Sequence, residues 1–351
     1  MKRKIIKQGS NTLTVTLPSE WVNEFNIKPG DEVDIDACGS SLIINGNHKK
    51  GFRSTTINID NLPMPMLWRF FQAAYREGYN EIKLVFSDRK LVKDAFNFYS
   101  SQNDYSRLGV SKKETPPVKM IEKIVNRFVG IEVIETGKGY CIIREMGETN
   151  DKEFSSSVNR VFILLADLFN KVIDDIKNDR IGDVSTCEDI HSMDNNIDRF
   201  IDFCCRMNNQ KLDNSQSDKV LMYSTLYFLE LLGDQFKAIG FHLSKSKMPV
   251  SGALPYAKIV KDHFDLYCDL FLNYSTQKAI TFGLNDYKVY TQHFNWKALK
   301  NPHQESIMKH LMIISKYCMC LMEFRVEMEY NKNQGESAKI KQTEKIKVEN
   351  P

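Results

Sequence analysis

From Glu153 onward the apolar residues of this chain keep a helical spacing. Val158, Val161, Phe162, Leu165, Leu168, Phe169 and Val172 recur at intervals of three and four. That spacing gathers them on one face of a helix and leaves the other face to water. Similar spacing predicts a second helix over about 187–207, a third over 219–243, and two or three more between Tyr256 and Tyr330. Short polar breaks join them, as in an antiparallel bundle. About half of the chain is thereby committed to long packed helices.

The residues before this stretch follow other rules. Thr12 to Leu17 alternate with period two until Pro18 breaks the run, and a short helix follows from Ser19 to about Asn26. Lys28-Pro29-Gly30-Asp31 has the Pro and Gly order of a type II turn. Strands are expected over 32–36 and 42–44. So few strands cannot bury a core alone, so this unit is expected to pair with a second copy. Residues 47–51 read as a linker. Beyond it a strand at 55–59, a helix at 64–76 stopped by Gly78, a strand at 81–86 and a helix at 91–99 alternate. A polar loop at 111–117 and a hairpin around Gly137-Lys138-Gly139 complete a small α+β segment. After Asn331 apolar residues almost vanish, as in a disordered tail. The expected division is therefore 1–47, 52–147, 153–330 and 331–351.

Composition narrows the function. Lys+Arg (48) less Asp+Glu (45) leaves +3 over 351 residues, which excludes a charge-driven nucleic-acid binder as a whole-chain identity. No apolar run approaches the roughly 18–20 residues of a membrane span. The basic start at Lys2-Arg3-Lys4 leads directly into Lys7 to Asn11 rather than into an apolar export segment. None of the eight cysteines forms a C-x-x-C. The expectation is a cytoplasmic protein with reduced thiols and no membrane insertion.

Two features carry chemistry. Residues 1–19 hold Lys2, Arg3, Lys4 and Lys7 and no acid, and on a dimer such cations can meet phosphates on both sides of a two-fold axis. Ser10, Asn11 and Thr12 add neutral contacts to phosphate or base. The plainer alternative is a unit that only dimerises, with a solvated basic edge, since residues 20–36 add six acids. In the helical half, Asp194 and Asp198 stand at i, i+4, and so do Glu230 and Asp234. Each pair faces one way, and like charges at that spacing cost a helix roughly 0.2–0.5 kcal/mol. The second pair lies in an apolar setting, Leu226 to Leu229 before it and Phe236 after. A cation shared by both helices would relieve both costs, and all-oxygen ligation suits a divalent or ferric ion: magnesium, manganese, iron or zinc. Ion pairing with Arg199, Arg206 or Lys237 is the competing explanation. His191 shares the face of Asp194 and Asp198, as an extra ligand or as a hydrogen-bonded neighbour.

Arg3 to Gln8, Leu13 to Trp21 and Lys28 to Val33 resemble the AbrB/SpoVT/MazE swapped-hairpin family. The resemblance implies an interleaved homodimer whose strands close one β-barrel, often with DNA bound on a basic face. Helix arginines usual in such DNA binders are replaced here by Val22 and Asn23. The two acidic pairs resemble the metal-binding signatures of the PhoU phosphate-transport regulators, with Leu231 in place of an expected Arg. Archaeal proteins that join the two have this order. The implied fold class is α+β multidomain: an AbrB-like N-terminal barrel, a central α+β domain and an all-α PhoU-like bundle. The implied function is a DNA-binding transcriptional regulator of phosphate uptake. The alternative is a PhoU-like protein-interaction regulator that docks on a transporter ATPase or a signalling protein and uses its hairpin only to dimerise.

An enzyme is not expected. Glu188-Asp189-Ile190-His191 is one E-x-x-H, where di-iron bundles need two. Phosphate-loop, nucleophile-elbow and zincin motifs are missing from the sequence.

Overall fold

The computed structural model describes residues 2–9, 12–24, 26–38, 41–46, 52–60, 62, 64–87, 92–93, 114–147, 150–211, 216–291 and 301–336. Strands dominate the N-terminal part and helices the rest. Two compact units divide the chain, one reaching from the N-terminus to Phe52 and the other running from Arg53 to Lys332.

In the first unit, β1 (Ile6–Gln8) and β2 (Thr12–Thr14) form an antiparallel hairpin with Lys7 opposite Leu13. The ladder ends at Thr14, three residues short of the alternation that runs to Leu17, because residues 2–5 leave the register beyond Ile6. Pro18 opens α1 (Ser19–Glu24), accepting the Val22 N–H at 2.9 Å. The Lys28–Asp31 turn forms as expected. Gly30 holds φ at +98°, which a side chain would oppose, and the Asp31 N–H donates to the Lys28 carbonyl at 3.0 Å. β3 (Val33–Cys38) and β4 (Ser41–Gly46) make a second hairpin. These are two separate two-stranded sheets. Among the described residues of one chain no barrel closes.

The expected linker at 47–51 lies outside the described residues. The second unit opens with a four-stranded sheet in the order β5-β6-β10-β9. β5 (Ser54–Asn58) runs parallel to β6 (Glu81–Val85), with α2 (Met64–Arg76) as the crossover between them. β9 (Ile131–Gly137) and β10 (Tyr140–Glu145) form the expected hairpin. Val92–Lys93 form a strand, β7, paired with β8 (Glu114–Thr115), where the sequence suggested a helix and a loop. A cross-strand partner overrides the local helical preference there, and the rest of 91–99 lies outside the described residues. One further helix, α3 (Pro117–Val125), was hidden in the polar run that precedes it. Pro117 occupies the first helical turn, where its missing N–H costs nothing. Phe128, just after α3, meets Trp68, Phe71 and Tyr75 of α2 at ring separations of 4.7–5.2 Å and centres this core.

The long helices follow. Asn150 and Glu153 form a capping box that starts α4 (Asp151–Lys177). Asp183 caps α5 (Val184–Gln210), which returns along α4, and α6 (Gln216–Lys245) packs on both. Then come α7 (Leu254–Leu272), α8 (Thr276–Thr291) and α9 (Pro302–Glu336). α9 continues past Asn331 into the segment read as disordered, and residues 337–351 lie outside the described residues. Phe169 anchors the bundle core between Phe236 and Phe264, at 4.8 and 5.7 Å. The strand-rich and helical parts of residues 53–332 share one compact unit.

Candidate functional site

Two regions gather the residues singled out in the sequence. In the N-terminal unit Lys2, Arg3 and Lys4 are exposed ahead of β1, Lys7 is exposed on β1 and Thr12 on β2. Ser10 and Asn11 lie outside the described residues. The same hairpins turn apolar side chains to solvent: Leu13 is 66% exposed, Ile35 57% and Leu42 65%. These short strands leave ladders bare and apolar faces uncovered.

The second region is built on α5 and α6. Helical geometry places Asp194, Asp198 and Asp202 in one row on α5, and Glu230, Asp234 and Lys237 on the facing surface of α6. The helices approach closely because α6 is notched at Gly233, where a Cβ would overlap Asp194 Oδ1. One step further, a Cβ on Gly240 would stand 2.9 Å from Ile190 Cδ1. The Gly of Glu230-Leu-Leu-Gly-Asp234 was thus a packing signal that the charge pattern overshadowed.

Side chains already meet these carboxylates. Lys237 Nζ lies 2.8 Å from Asp194 Oδ2 and 2.6 Å from Asp234 Oδ1, bridging the two helices. Arg76 of α2 places Nε 2.6 Å from Asp202 Oδ1 and Nη2 3.8 Å from Glu230 Oε2. Gln72 donates to the same Asp202 oxygen at 3.0 Å. Arg127, stacked 4.7 Å over Trp68, donates to Asn195 Oδ1 at 2.8 Å and stands 3.9 Å from Asp198 Oδ2. Of the three cations named as alternatives in the sequence, Lys237 fills that role. Arg206 instead pairs with Glu145 at 3.0 Å and donates to the Tyr75 and Tyr79 carbonyls at 2.8 and 3.0 Å. Arg76 and Arg127 sit more than sixty residues before the acids they serve, and no spacing rule could have linked them.

Burial dominates the electrostatics. It pushes the Asp194 carboxyl up to about 6 although the Lys237 ammonium pulls it down. It raises Asp198 further, with the Asp194 charge adding to it. Asp202 and Glu230 are raised by the same desolvation, opposed by Arg76. Among the described residues no hydrogen-bond donor meets the buried Asp194 Oδ1 or Asp198 Oδ1. Asp234 is half exposed. Among the described residues no group of three or more His, Cys, Asp or Glu side chains is already drawn around a metal position. His191 is buried beside this row while Glu188 is exposed. Burial, then the Lys237 charge, lowers His191 to about 4, so its ring is neutral.

Residues 6–44 match the family described as antidote-toxin recognition MazE, bacterial antitoxin. The match lies within the N-terminal unit, and it defines that segment as a MazE/AbrB-type domain. No curated protein and no solved structure matches the chain. No described helix is long and apolar enough to cross a membrane.

Proposed function

We propose that this chain is a dimeric DNA-binding regulator acting in the cytoplasm, with its first unit as the dimerising and DNA-contacting part. The observation that carries the reading is the pairing of the exposed apolar strands of a MazE-type segment, residues 6–44, with an acid-free cationic start that runs into it. A second copy would cover Leu13, Ile35 and Leu42 and bring Lys2, Arg3, Lys4 and Lys7 together twice on one surface. Phosphate contacts from such a surface make binding steeply salt-dependent. The test is a gel shift against genomic fragments over a salt series. A specific regulator selects one sequence with nanomolar, salt-sensitive affinity, and Arg3→Glu with Lys4→Glu abolishes the shift while the dimer persists. Micromolar, sequence-blind binding overturns it.

We further propose that the helical unit is the sensing half, of PhoU type, and that the regulated process is phosphate uptake. The buried donor-less oxygens of Asp194 and Asp198, on adjacent helices with Glu230 and Asp234, support a cation at that point. These residues would hold a hard cation only with Lys237 displaced from between Asp194 and Asp234. Elemental analysis decides: the proposal fails if Asp198→Asn and Glu230→Gln leave metal content unchanged. The exposed apolar strands favour one second reading, in which a different protein covers them, as a toxin or a transporter subunit would. A monomer in light scattering that captures such a partner and ignores DNA would select it.

A further inference from the structure

Three of the seven histidines of this chain, His242, His303 and His310, come together although sixty residues separate the first from the other two. His242 lies near the end of α6, and His303 and His310 lie two turns apart on one face of α9. The His242 ring sits between the other two, with centroids 5.4 Å from His303 and 5.5 Å from His310.

The contact between the first two is specific. His242 Nδ1 and His303 Nδ1 are 3.2 Å apart. Two imidazole nitrogens on one tetrahedral zinc, each at roughly 2.0–2.1 Å from it, stand about 3.3 Å apart. The third ring is oriented from outside: His310 Nδ1 lies 2.9 Å from Gln235 Oε1. An amide oxygen can only accept, so that nitrogen carries the proton and Nε2 keeps its lone pair. A side-chain or main-chain oxygen on the far nitrogen of a histidine is the usual outer support of a metal ligand.

The backbone around the cluster is clamped. Asn301 caps the start of α9, accepting the His303 N–H at 3.0 Å. Its amide donates to Ser246 Oγ at 3.1 Å and to the Met248 and Pro249 carbonyls at 2.9 and 3.1 Å, which ties α9 to the turn that ends α6. Two ligands are therefore held on rigid elements before any ion arrives. All three rings are only partly buried, so an ion can reach them from solvent.

We propose that His242, His303 and His310 form a binding site for a first-row transition ion, zinc above all, that staples the end of α6 to the start of α9. An all-imidazole set suits zinc, nickel or copper and not magnesium or calcium. In the ion-free molecule one proton lies between the two Nδ1 atoms. On binding, that proton moves through solvent to an Nε2, and both Nδ1 lone pairs face the ion. His310 turns its ring toward the ion about its side-chain bonds, and water completes the tetrahedron. This site is separate from the acidic row and does not depend on the reading of it.

The experiment is a zinc titration of the metal-free full chain in competition with a chromogenic chelator, repeated with cobalt to read its visible absorption. One zinc per chain is expected. His242→Gln and His303→Gln should each weaken binding tenfold or more and abolish the cobalt band, while Asp265→Asn, an exposed residue of α7, leaves both unchanged. Absence of stoichiometric zinc binding overturns the site. Zinc that survives the His242→Gln, His303→Gln double variant overturns it too. Should either variant misfold, the unaltered protein still decides: zinc must protect these three rings from diethyl pyrocarbonate, read by mass spectrometry, and equal labelling with and without zinc refutes the proposal.

Discussion

Single side chains in this molecule are constrained most tightly where a charge or a notch is buried. Gly233 is the sharpest case. In an isolated helix Gly→Ala gains roughly 1 kcal/mol, but here the added methyl would overlap Asp194 Oδ1. We expect Gly233→Ala to destabilise the protein by about 1–3 kcal/mol, the usual cost of overpacking. A denaturant midpoint that rises instead would show that α5 and α6 can part freely. His263 gives a second test. It is fully buried, stacked 4.2 Å from Phe282, accepts from Asn285 Nδ2 at 3.2 Å, and faces Asp286 Oδ1 at 3.3 Å without hydrogen-bond alignment. Burial lowers it to about 4. The unfolded chain therefore takes up a proton below pH 6.5 that the folded one refuses. Stability from this group is complete above that pH and is lost as pH falls toward 4, by up to about 3 kcal/mol. Asp194, raised to about 6, works in the opposite direction because its protonation relieves a buried charge. His263→Gln should thus flatten the acid limb of a stability–pH curve between 6.5 and 4, and an unchanged limb would assign the acid sensitivity elsewhere.

At the level of elements, the central prediction concerns Arg206. Its guanidinium, 1% exposed, caps the end of α2 through the Tyr75 and Tyr79 carbonyls and pairs with Glu145 of β10. Arg206→Met leaves the Tyr75 carbonyl with only the Gly78 N–H and removes the Arg206 donor from the Tyr79 carbonyl and Glu145, and should cost about 3 kcal/mol. The unfolding transition should split as residues 53–147 loosen before the helices. A single unshifted transition would show that packing alone holds the two together. How much of this was legible follows from the range of the interactions. The helices α4, α5 and α6 were readable because their apolar spacing is local and long. The hairpin around Gly139 was readable because its turn is local. α3 was missed because its apolar residues follow a polar run, and β7 because strand pairing with residue 114 is not a local property. In the acidic row the carboxylates were visible from i, i+4 spacing. Arg76, Arg127 and Gln72 were not, because only the folded chain brings α2 and residue 127 to α5.

For the molecule as a whole, the N-terminal unit sets the expectation. Its bare apolar strands predict a light-scattering mass of twice 40.7 kDa, and Leu42→Lys should return it to a monomer. A monomeric wild-type chain would contradict the dimer. The change of sequence pattern near residue 150 suggests a place to divide the protein, yet the carbonyl groups that end α2 find their donor on α5. A chain cut at 147 would strand that helix terminus and leave Gln72 and Arg76 without Asp202 of α5, so it should precipitate or melt. Anyone recombining the parts of this protein, in a laboratory or across evolutionary time, has to carry Arg53 to Lys332 as an indivisible cassette and make the join upstream of it.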